Sequence, residues 1–492
     1  MKRILFCLVV CLPLFATSTQ AQYKEVLTLD QVIQLAREQS PAAILAKHQF
    51  RANYWEFRTH QAGLRPSVTL NLDFPQFNRA LQKYKNPDGS YTYLEDFANT
   101  TTASVSMNQN IGLTGGQLFV RSDLQRLDEF GDIDNHSYMS TPISVGYRQP
   151  ILFFNEYKWS KKIEPLKYEQ AEKQYIANME AVAAQAAKDF FDLALAQQTL
   201  AEAKVNYSNA DTLYKIAQGR YEIGTIAENE LMQMELSYLN AGRDLNQARV
   251  DLEYGKLRLR SFLGFNEKVD LELIISKEIP TVDVAYEQAL ALAEDNNPQI
   301  IGFDVSLAES ERDVASARAE KGLKADLFAS FGLTQQAQNF EHVYVNPQDQ
   351  QGFRVGLEMP LLDWGLGKGR YKMAQSDLEV TRATVKRDQI DFRQSLFVQV
   401  MQFNLQDDQL AIAAKSDTIA QKRYDLTKQR FLIGKVDVLD LNVALEEKDR
   451  AKKEYVRQLS QYWTDYFALR RLTLYDFQKR QELTADFEQL VE

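Results

Sequence analysis

An internal duplication constrains this chain more than any other feature of its sequence. Residues 220–224, Arg-Tyr-Glu-Ile-Gly, are repeated as Arg-Phe-Leu-Ile-Gly at residues 430–434, an offset of 210 residues. The same offset matches Val145 with Val355 and continues without a gap for more than a hundred residues. A register kept this long, through glycine and proline landmarks, indicates two copies of one structural unit. The chain is therefore expected to fold as two related halves.

Residues 1–21 have the composition of a secretory signal peptide. Lys2 and Arg3 precede a mostly apolar run, Ile4 to Phe15, and small and polar residues follow up to Ala21. The run is too short to cross a bilayer as a helix. We expect cleavage after Ala21 and export of the mature chain.

Both cysteines, Cys7 and Cys11, lie inside this segment. The mature chain then has no disulfide framework, no thiol nucleophile and no cysteine-ligated metal. Acylation of Cys11 in a lipoprotein is an alternative, although Val9 and Val10 stand where a small residue is usual.

Charge and hydropathy exclude two further classes of protein. The formal net charge is −10 and the pI is about 5.3, so no basic field is available to attract nucleic acid. Beyond the signal there is no run of about 18 apolar residues that would predict a membrane helix. If the mature chain sits in a membrane, it must do so as a barrel.

Four segments alternate apolar and polar residues with a period of two: residues 67–74, 141–149, 326–333 and 353–359. Each is about nine residues long, which is the length of a tilted strand that crosses a bilayer. A half-buried sheet of a soluble protein would show the same alternation, so both interpretations stay open at this point.

The first half carries an insertion in its strand region. The offset between matching residues falls from 259 at Gly63 to 210 at Pro150, so 49 residues are extra. Within them, residues 103–123 contain two strand-like runs on either side of Thr114-Gly115-Gly116, a tight-turn sequence. This pattern predicts an additional β-hairpin.

Two long helices are expected to begin at about residues 155 and 368. From residue 156 to 216 the first would be about 90 Å long at 1.5 Å per residue. The helix after the first Ile-Gly turn carries apolar and small residues at steps of three and four from Leu231 to Phe262, which is typical of a coiled-coil seam. The matching seam of the second half contains Lys448, Gln458 and Asp465, and this predicts that those helices face water or a lumen.

No constellation indicates catalysis, a cofactor or a metal site. Gly365-Leu366-Gly367-Lys368-Gly369 follows a strand and opens a helix, but it matches neither common phosphate-binding loop. The four histidines, His48, His60, His136 and His342, are far apart in sequence. We therefore expect a protein that is not an enzyme.

Taken together, these features resemble the TolC-like outer-membrane efflux family. The resemblance rests on the export signal, the duplicated helix-strand-strand-helix unit, the coiled-coil helices and Val-Gly-x-x-x-Pro-x-Leu at both strand exits. It covers about residues 25–475, and its most specific signals are the two Ile-Gly turns, with Glu230 and Asp440 six residues past each glycine.

The resemblance implies an α+β membrane protein built from two repeats. Three copies would share one transmembrane β-barrel, continued by a coiled-coil barrel in the periplasm. Each protomer would give at least four strands, and the extra hairpin would either join the barrel or stay at its surface. The implied division is a signal peptide at 1–21, a first repeat at 22–280, a second repeat at 281–478 and a tail at 479–492. The first repeat would have strands at about 67–149 and a tip at about 216–230, and the second would have strands at about 325–360 and a tip at about 428–440.

The resemblance also assigns roles to individual residues. Six residues at the helix-turn-helix tips would dock an adaptor: Ile223, Gly224, Thr225, Ile433, Gly434 and Lys435. Glu230, Phe431 and Asp440 would form a constriction of the tunnel, and Phe154 and Trp364 would lie at the membrane interface. Val436 departs from the pattern, because some members have a gating arginine at this position.

The implied function is a passive exit duct in the outer membrane, part of a tripartite efflux or secretion system. Its expected partners are two further copies of the chain, a periplasmic adaptor, an inner-membrane transporter and outer-membrane lipid, with no nucleic acid. A soluble periplasmic coiled-coil scaffold or adaptor without a barrel is the alternative. Neither the cargo nor the class of pump is encoded in any feature of the sequence.

Overall fold

The computed structural model describes residues 24–130, 135–265, 269–276 and 282–491, so the expected signal peptide lies outside the described residues. The protein is α+β and forms two compact units. The helical unit comprises the described parts of Met1–Leu45, Met179–Asp283 and Met401–Leu469, and the sheet unit comprises those of Ala46–Asn178, Val284–Val400 and Arg470–Glu492. Each unit thus draws on both halves of the sequence.

The first half of the chain contributes the elements β1 (Lys24–Leu27), α1 (Leu29–Gln39), α2 (Pro41–Gly63), β2 (Ser67–Lys85), β3 (Tyr91–Ile111), β4 (Gly116–Glu129), β5 (Asn135–Ile151), α3 (Glu156–Glu222), α4 (Glu228–Leu263) and β6 (Asp270–Leu273). The second half contributes α5 (Tyr286–Asn296), α6 (Pro298–Glu320), β7 (Lys324–Ala337), β8 (Gln348–Glu358), α7 (Leu366–Asn404), α8 (Gln406–Leu432), α9 (Val438–Thr473), β9 (Tyr475–Asp476), β10 (Gln481–Glu482) and α10 (Phe487–Val491). A 3₁₀ turn, Phe340–His342, lies between β7 and β8. No described helix is long and apolar enough to cross a membrane.

Six strands form one antiparallel sheet in the order β2-β3-β4-β5-β7-β8. The predicted extra hairpin is present as β3 and β4, and it lies inside this sheet, not apart from it. The strands are longer than the nine residues expected, since β3 has 21 residues and β2 has 19. The extra length was missed because the alternation of apolar and polar residues stops before the strands do.

The apolar side chains of the sheet gather on one face, which we call the apolar face. Residues opposite each other on neighbouring antiparallel strands share a face, and Val68, Met107, Val120, Val145 and Phe331 form one such row across five strands. In β2 and β8 the apolar side chains of this face are exposed, from 52% at Val355 to 74% at Phe353. A sheet of a soluble protein would bury this face against another layer.

The helical unit is organised by long helices that pack along their length. The helix α3 runs unbroken for 67 residues, as its sequence predicted. In α4, the expected seam residues Met234, Leu245, Ala248 and Leu259 are buried.

The polar residues in the matching seam of α9 do not face water, so that prediction was wrong. Lys448 and Asp465 are buried, and Gln458 is partly buried. Lys448 Nζ lies 2.9 Å from Asp449 Oδ1, and Asp465 accepts a hydrogen bond from Gln406 Nε2 at 2.8 Å. Polar groups remain inside a helical bundle when such partners replace water.

The C-terminal residues return to the sheet unit. The ring of Phe487 in α10 lies 5.1 Å from that of Phe50 in α2, and Phe50 is almost fully buried. Arg51 Nε donates a hydrogen bond to the Leu490 carbonyl at 2.5 Å. The helix α10 therefore covers part of the core formed by α2 and α3.

The substitution Phe487→Ala is expected to lower the free energy of unfolding by about 1–3 kcal/mol, because it uncovers Phe50. Phe487→Leu should keep most of the stability, and Glu488→Ala, at an exposed neighbour, should be neutral. Thermal unfolding of the detergent-solubilised protein, followed by circular dichroism, measures the difference. Equal melting temperatures for the two alanine variants would contradict this packing.

Candidate functional site

Each of the two long helical hairpins turns through the same backbone motif. At the end of α3, Gly224 has a φ of 72°, and the Thr225 N–H donates to the Arg220 carbonyl at 2.9 Å. The Gly224 N–H donates to the Tyr221 carbonyl, also at 2.9 Å. This pair of bonds closes a helix end around a left-handed residue, a conformation that favours glycine.

The second hairpin repeats this geometry at the end of α8. Gly434 has a φ of 73°, Lys435 N–H donates to the Arg430 carbonyl, and Gly434 N–H donates to the Phe431 carbonyl, both at 2.9 Å. The next helix, α9, is capped by Asp437 Oδ1, which accepts from the Asp440 N–H at 2.9 Å. The repeated sequence therefore produces two tips of the same shape.

The two tips contact each other through Arg220. Its guanidinium donates a hydrogen bond from Nη2 to the Leu432 carbonyl at 3.0 Å and lies 5.6 Å from the centre of the Phe431 ring. The matching Arg430 is exposed, and within the described part of the chain its side chain has no hydrogen-bond or ion-pair partner. Residue spacing alone does not predict this contact, although Phe431 replaces Tyr221 in the repeat and so marks a difference between the tips.

An apolar cluster lies directly behind the tips. Its buried members come from all four helices of the two hairpins: Leu213, Ala217, Met234, Tyr424, Phe431, Val438, Leu441 and Ala444. Burial raises the pKa of the Tyr424 hydroxyl, and Asp449 and Asp425 raise it further, so this group stays neutral. The cluster holds the two hairpins together.

The residues predicted for the constriction occupy different environments. Phe431 is only 5% exposed and belongs to the cluster between the hairpins, so in this conformation it is a packing residue and does not project from the surface. Glu230 is partly buried in the first turn of α4, and Asp440 is exposed in the first turn of α9.

A cavity of about 460 Å³ opens between the tips. Its polar lining includes Arg220, Thr225, Glu230, Lys435 and Asp437. Charges of both signs meet here. In the turns themselves the side chains of Ile223 (73%) and Ile433 (66%), each next to its turn glycine, are exposed. Exposed apolar side chains together with charged groups make a suitable surface for a protein partner.

The two aromatic residues predicted for the membrane interface lie where strands pass into helices. Phe154 is partly buried and precedes α3, whereas Trp364 is exposed and precedes α7. Beside Trp364, the Asp363 carboxylate accepts from the N–H groups of Gly367 and Gly365, each at 2.9 Å. These two bonds lower the pKa of the Asp363 carboxyl.

Metal chemistry has no visible support in the described residues. Among them, no three or more His, Cys, Asp or Glu side chains are arranged to hold a metal ion. The features that the tips do provide are turns, charges and exposed apolar side chains, and these suit binding of a partner.

Comparison with known proteins identifies the family. The family model described as "Outer membrane efflux protein" matches residues 32–265 and 289–473. The chain belongs to this family. It is an outer-membrane channel of a tripartite efflux system, located in the outer membrane with a periplasmic extension. The resemblance inferred from the repeats and turns is thereby confirmed, and nothing in these comparisons favours the soluble scaffold.

Solved structures of outer-membrane proteins share the fold of this chain. The CmeC outer membrane channel of Campylobacter jejuni has a TM-score of 0.66 at 15% identity, covering 94% of this chain and 88% of CmeC. VceC of Vibrio cholerae has a TM-score of 0.63 at 14% identity, covering 90% and 95%. The open state of the MtrE channel of Neisseria gonorrhoeae has a TM-score of 0.55 at 13% identity, covering 93% and 91%. A search of curated protein sequences found no match.

The substitution Arg220→Ala is expected to loosen the second tip of this efflux protein. Loss of the bond to the Leu432 carbonyl and of the contact with Phe431 should cost about 1 kcal/mol. Amide hydrogen exchange at Gly434 and Lys435 should then rise roughly fivefold. Arg430→Ala is the matched control, since it removes the equivalent side chain of the repeat, and exchange there should change by less than about twofold. Equal effects of both variants would show that the Arg220 contact does not hold the tips together.

Proposed function

We propose that three copies of this chain close into one passive exit duct across the outer membrane. The observation that carries the proposal is the six-stranded sheet, which has an exposed apolar face and two unpaired edge strands, β2 and β8. In hydrocarbon every backbone polar group needs a partner, so such edges must be paired. Pairing β2 of one copy with β8 of the next satisfies both edges and turns the apolar face toward lipid. Three sheets of six strands give a barrel of eighteen, which leaves room for an aqueous channel.

The helical unit supports association of the same copies. Exposed apolar side chains recur at heptad-like spacing on α4, at Leu236, Leu239, Val250, Tyr254 and Leu257, and on α8, at Ile412, Ile419 and Leu426. Stripes of this kind need a facing helix to bury them. Neighbouring copies of the chain would supply that helix and form the periplasmic tunnel.

The proposed organisation has two repeats, at 22–280 and 281–478. The family model's separate matches to residues 32–265 and 289–473 support this division. The tail at 479–492 would belong to neither repeat. Phe154 and Trp364 would lie at the periplasmic membrane interface, since both follow strands of the sheet and precede its long helices.

The tips would dock the periplasmic adaptor of an inner-membrane transporter. Support comes from the exposed side chains of Ile223 and Ile433 at the ends of the hairpins. Ile223 is followed by Gly224 and Thr225, and Ile433 is followed by Gly434 and Lys435. Glu230 and Asp440, in the first turns of the returning helices, would form rings of carboxylate in the assembled trimer and favour cations there. Phe431 would act behind these rings, in the packing that holds the tips closed.

The mass of the detergent-extracted outer-membrane species, by light scattering corrected for detergent, tests the trimer. About three times the mature-chain mass is expected, and a monomer or dimer released without detergent would end the barrel hypothesis.

Val250→Glu should weaken the trimer by about 3 kcal/mol per copy, because it buries an unpaired charge. Arg249→Glu, at the exposed neighbouring position of α4, should leave the mass unchanged. If both variants remain trimeric, the α4 stripe is not a subunit contact.

Docking is tested by Ile223→Asp combined with Ile433→Asp. This pair should reduce adaptor binding by about thirtyfold, because two exposed anchors of the contact become charged. Gln218→Asp with Gln429→Asp introduces the same charges at exposed positions about one turn earlier and should bind normally. Binding of the purified trimer to immobilised adaptor measures both. Full binding by the isoleucine variant, with its trimer intact, would move the docking site away from the tips.

A further inference from the structure

Part of the β2–β3 hairpin extends beyond the rest of the sheet. The strand β4 pairs with β3 only from Ala98 to Ile111, whereas β2 continues to pair with β3 as far as Lys85 and Tyr91. We call residues 76–97 the outer ribbon. Because β2 directly follows α2 and β5 leads directly into α3, the outer ribbon lies at the end of the sheet farthest from those helices.

A bulge determines which face of the ribbon continues the apolar face of the sheet. In β2, Phe74 and Pro75 stand opposite the single residue Thr101, so the alternation of β2 changes sides there, while β3 runs on without interruption. Val105 and Met107 lie on the apolar face, and the other odd-numbered residues of β3, as far as Tyr91, therefore lie on the same face. Across the ribbon, the residues opposite these are Phe77, Arg79, Leu81, Lys83 and Lys85.

This face of the ribbon is aromatic and basic. Arg79 lies 5.2 Å from the centre of the Phe97 ring, Lys83 Nζ lies 4.0 Å from that of Tyr91, and Lys85 is paired opposite Tyr91. Glu95 is the acidic partner of Arg79, with Nη2 and Oε2 3.3 Å apart. Three cations and this one carboxylate give the face a local surplus of positive charge. The other two acids of the ribbon lie elsewhere, Asp88 in its turn and Asp96 on its opposite face.

The position of the ribbon matches the level of lipid headgroups. From Met107 to Phe97 the strand has the length that crosses the hydrocarbon of a bilayer when tilted. At that level Phe97 packs against Phe77 and Phe130, with ring centres 5.0 Å apart in each pair, as in an aromatic girdle. Residues 79–95 then lie just outside the hydrocarbon, and their basic-aromatic face is turned toward the surrounding lipid.

Among the described residues, no third strand pairs with the ribbon beyond Ala98. A two-stranded hairpin is marginally stable in water by itself. The side chains of Leu81, Tyr91 and Tyr93 are nevertheless largely exposed. A ligand that offers both phosphate and an apolar surface would satisfy the cations and the rings together.

We propose that the basic-aromatic face of the outer ribbon binds the phosphorylated sugar headgroups of glycolipid in the outer leaflet. Arg79, Lys83 and Lys85 would make charge-assisted hydrogen bonds to phosphate. Tyr91 and Tyr93 would pack against the apolar faces of the sugar rings. The inference rests on the proposed function, because the barrel is what places this face beside lipid.

The test uses the full-length trimer in detergent and a water-soluble probe, the deacylated phosphorylated core oligosaccharide of lipopolysaccharide. Isothermal titration calorimetry measures binding of this probe, of the same oligosaccharide after dephosphorylation, and of inorganic phosphate. The variant Arg79→Gln, Lys83→Gln, Lys85→Gln should bind the phosphorylated probe roughly a hundredfold more weakly, because three cations at a phosphate surface are lost. Its salt dependence should weaken as well. Lys372→Gln, Lys386→Gln, Lys422→Gln removes the same charge from exposed helix positions and should bind like the parent.

Three results would overturn the inference. The triple ribbon variant could bind as the parent does, the dephosphorylated sugar could bind equally well, or inorganic phosphate alone could bind as tightly as the oligosaccharide, which would indicate a phosphate site without a lipid. Two trimers joined through their ribbons, seen as a doubled mass, would identify a second copy as the occupant. In each case a trimeric mass and intact efflux of the ribbon variant would show that the proposed duct survives. A parent protein that is not a trimer would instead contradict the proposed function itself.

Discussion

The backbone groups at the two edges of the sheet are the constraint on which the rest of this protein depends. In hydrocarbon an unpaired N–H or C=O costs several kcal/mol, and there is no water to satisfy it. One chain provides six strands with an exposed apolar face and leaves one side of β2 and one side of β8 unpaired. In the proposed trimer another copy of the same chain pairs these edges and also covers the apolar stripes of the helices. The same subunit contacts would then serve both assembly and membrane insertion.

The sequence predicted the elements that depend on local chemistry. The long helices, the turn glycines and the alternating strand segments follow from residue spacing and from backbone conformations that favour glycine. The ends of the strands were not predictable in the same way. In the outer ribbon, charged and aromatic residues such as Arg79, Lys83 and Tyr93 occupy the face that is apolar lower in the sheet, so the period of two in hydrophobicity disappears although the strand continues.

Contacts between distant parts of the chain explain the remaining differences. Lys448 and Asp465 looked solvent-exposed by their charge, but Asp449 and Gln406 provide partners inside the bundle. The family resemblance assigned Phe431 to the tunnel constriction, which stays a prediction, and within one chain this residue is buried against the other hairpin. These contacts depend on which helices are neighbours, and residue spacing within one helix carries no information about that. The turns at the tips needed only local geometry, which is why Gly224 and Gly434 were identified from the sequence.

The contact between Arg220 and the second hairpin has a consequence for symmetry. Two copies of one motif would by themselves give a trimer six equivalent and independent ends. Within the described part of the chain, the bond from Arg220 to the Leu432 carbonyl has no counterpart at Arg430, so it joins the two hairpins in one direction only. The narrow end of the proposed duct then consists of three pairs of hairpins, and the two hairpins of each pair differ. Because each pair is linked, the three pairs would move as three units with threefold symmetry. A partner that contacts this end meets two chemically different surfaces in alternation, although both arose from the same ancestral turn.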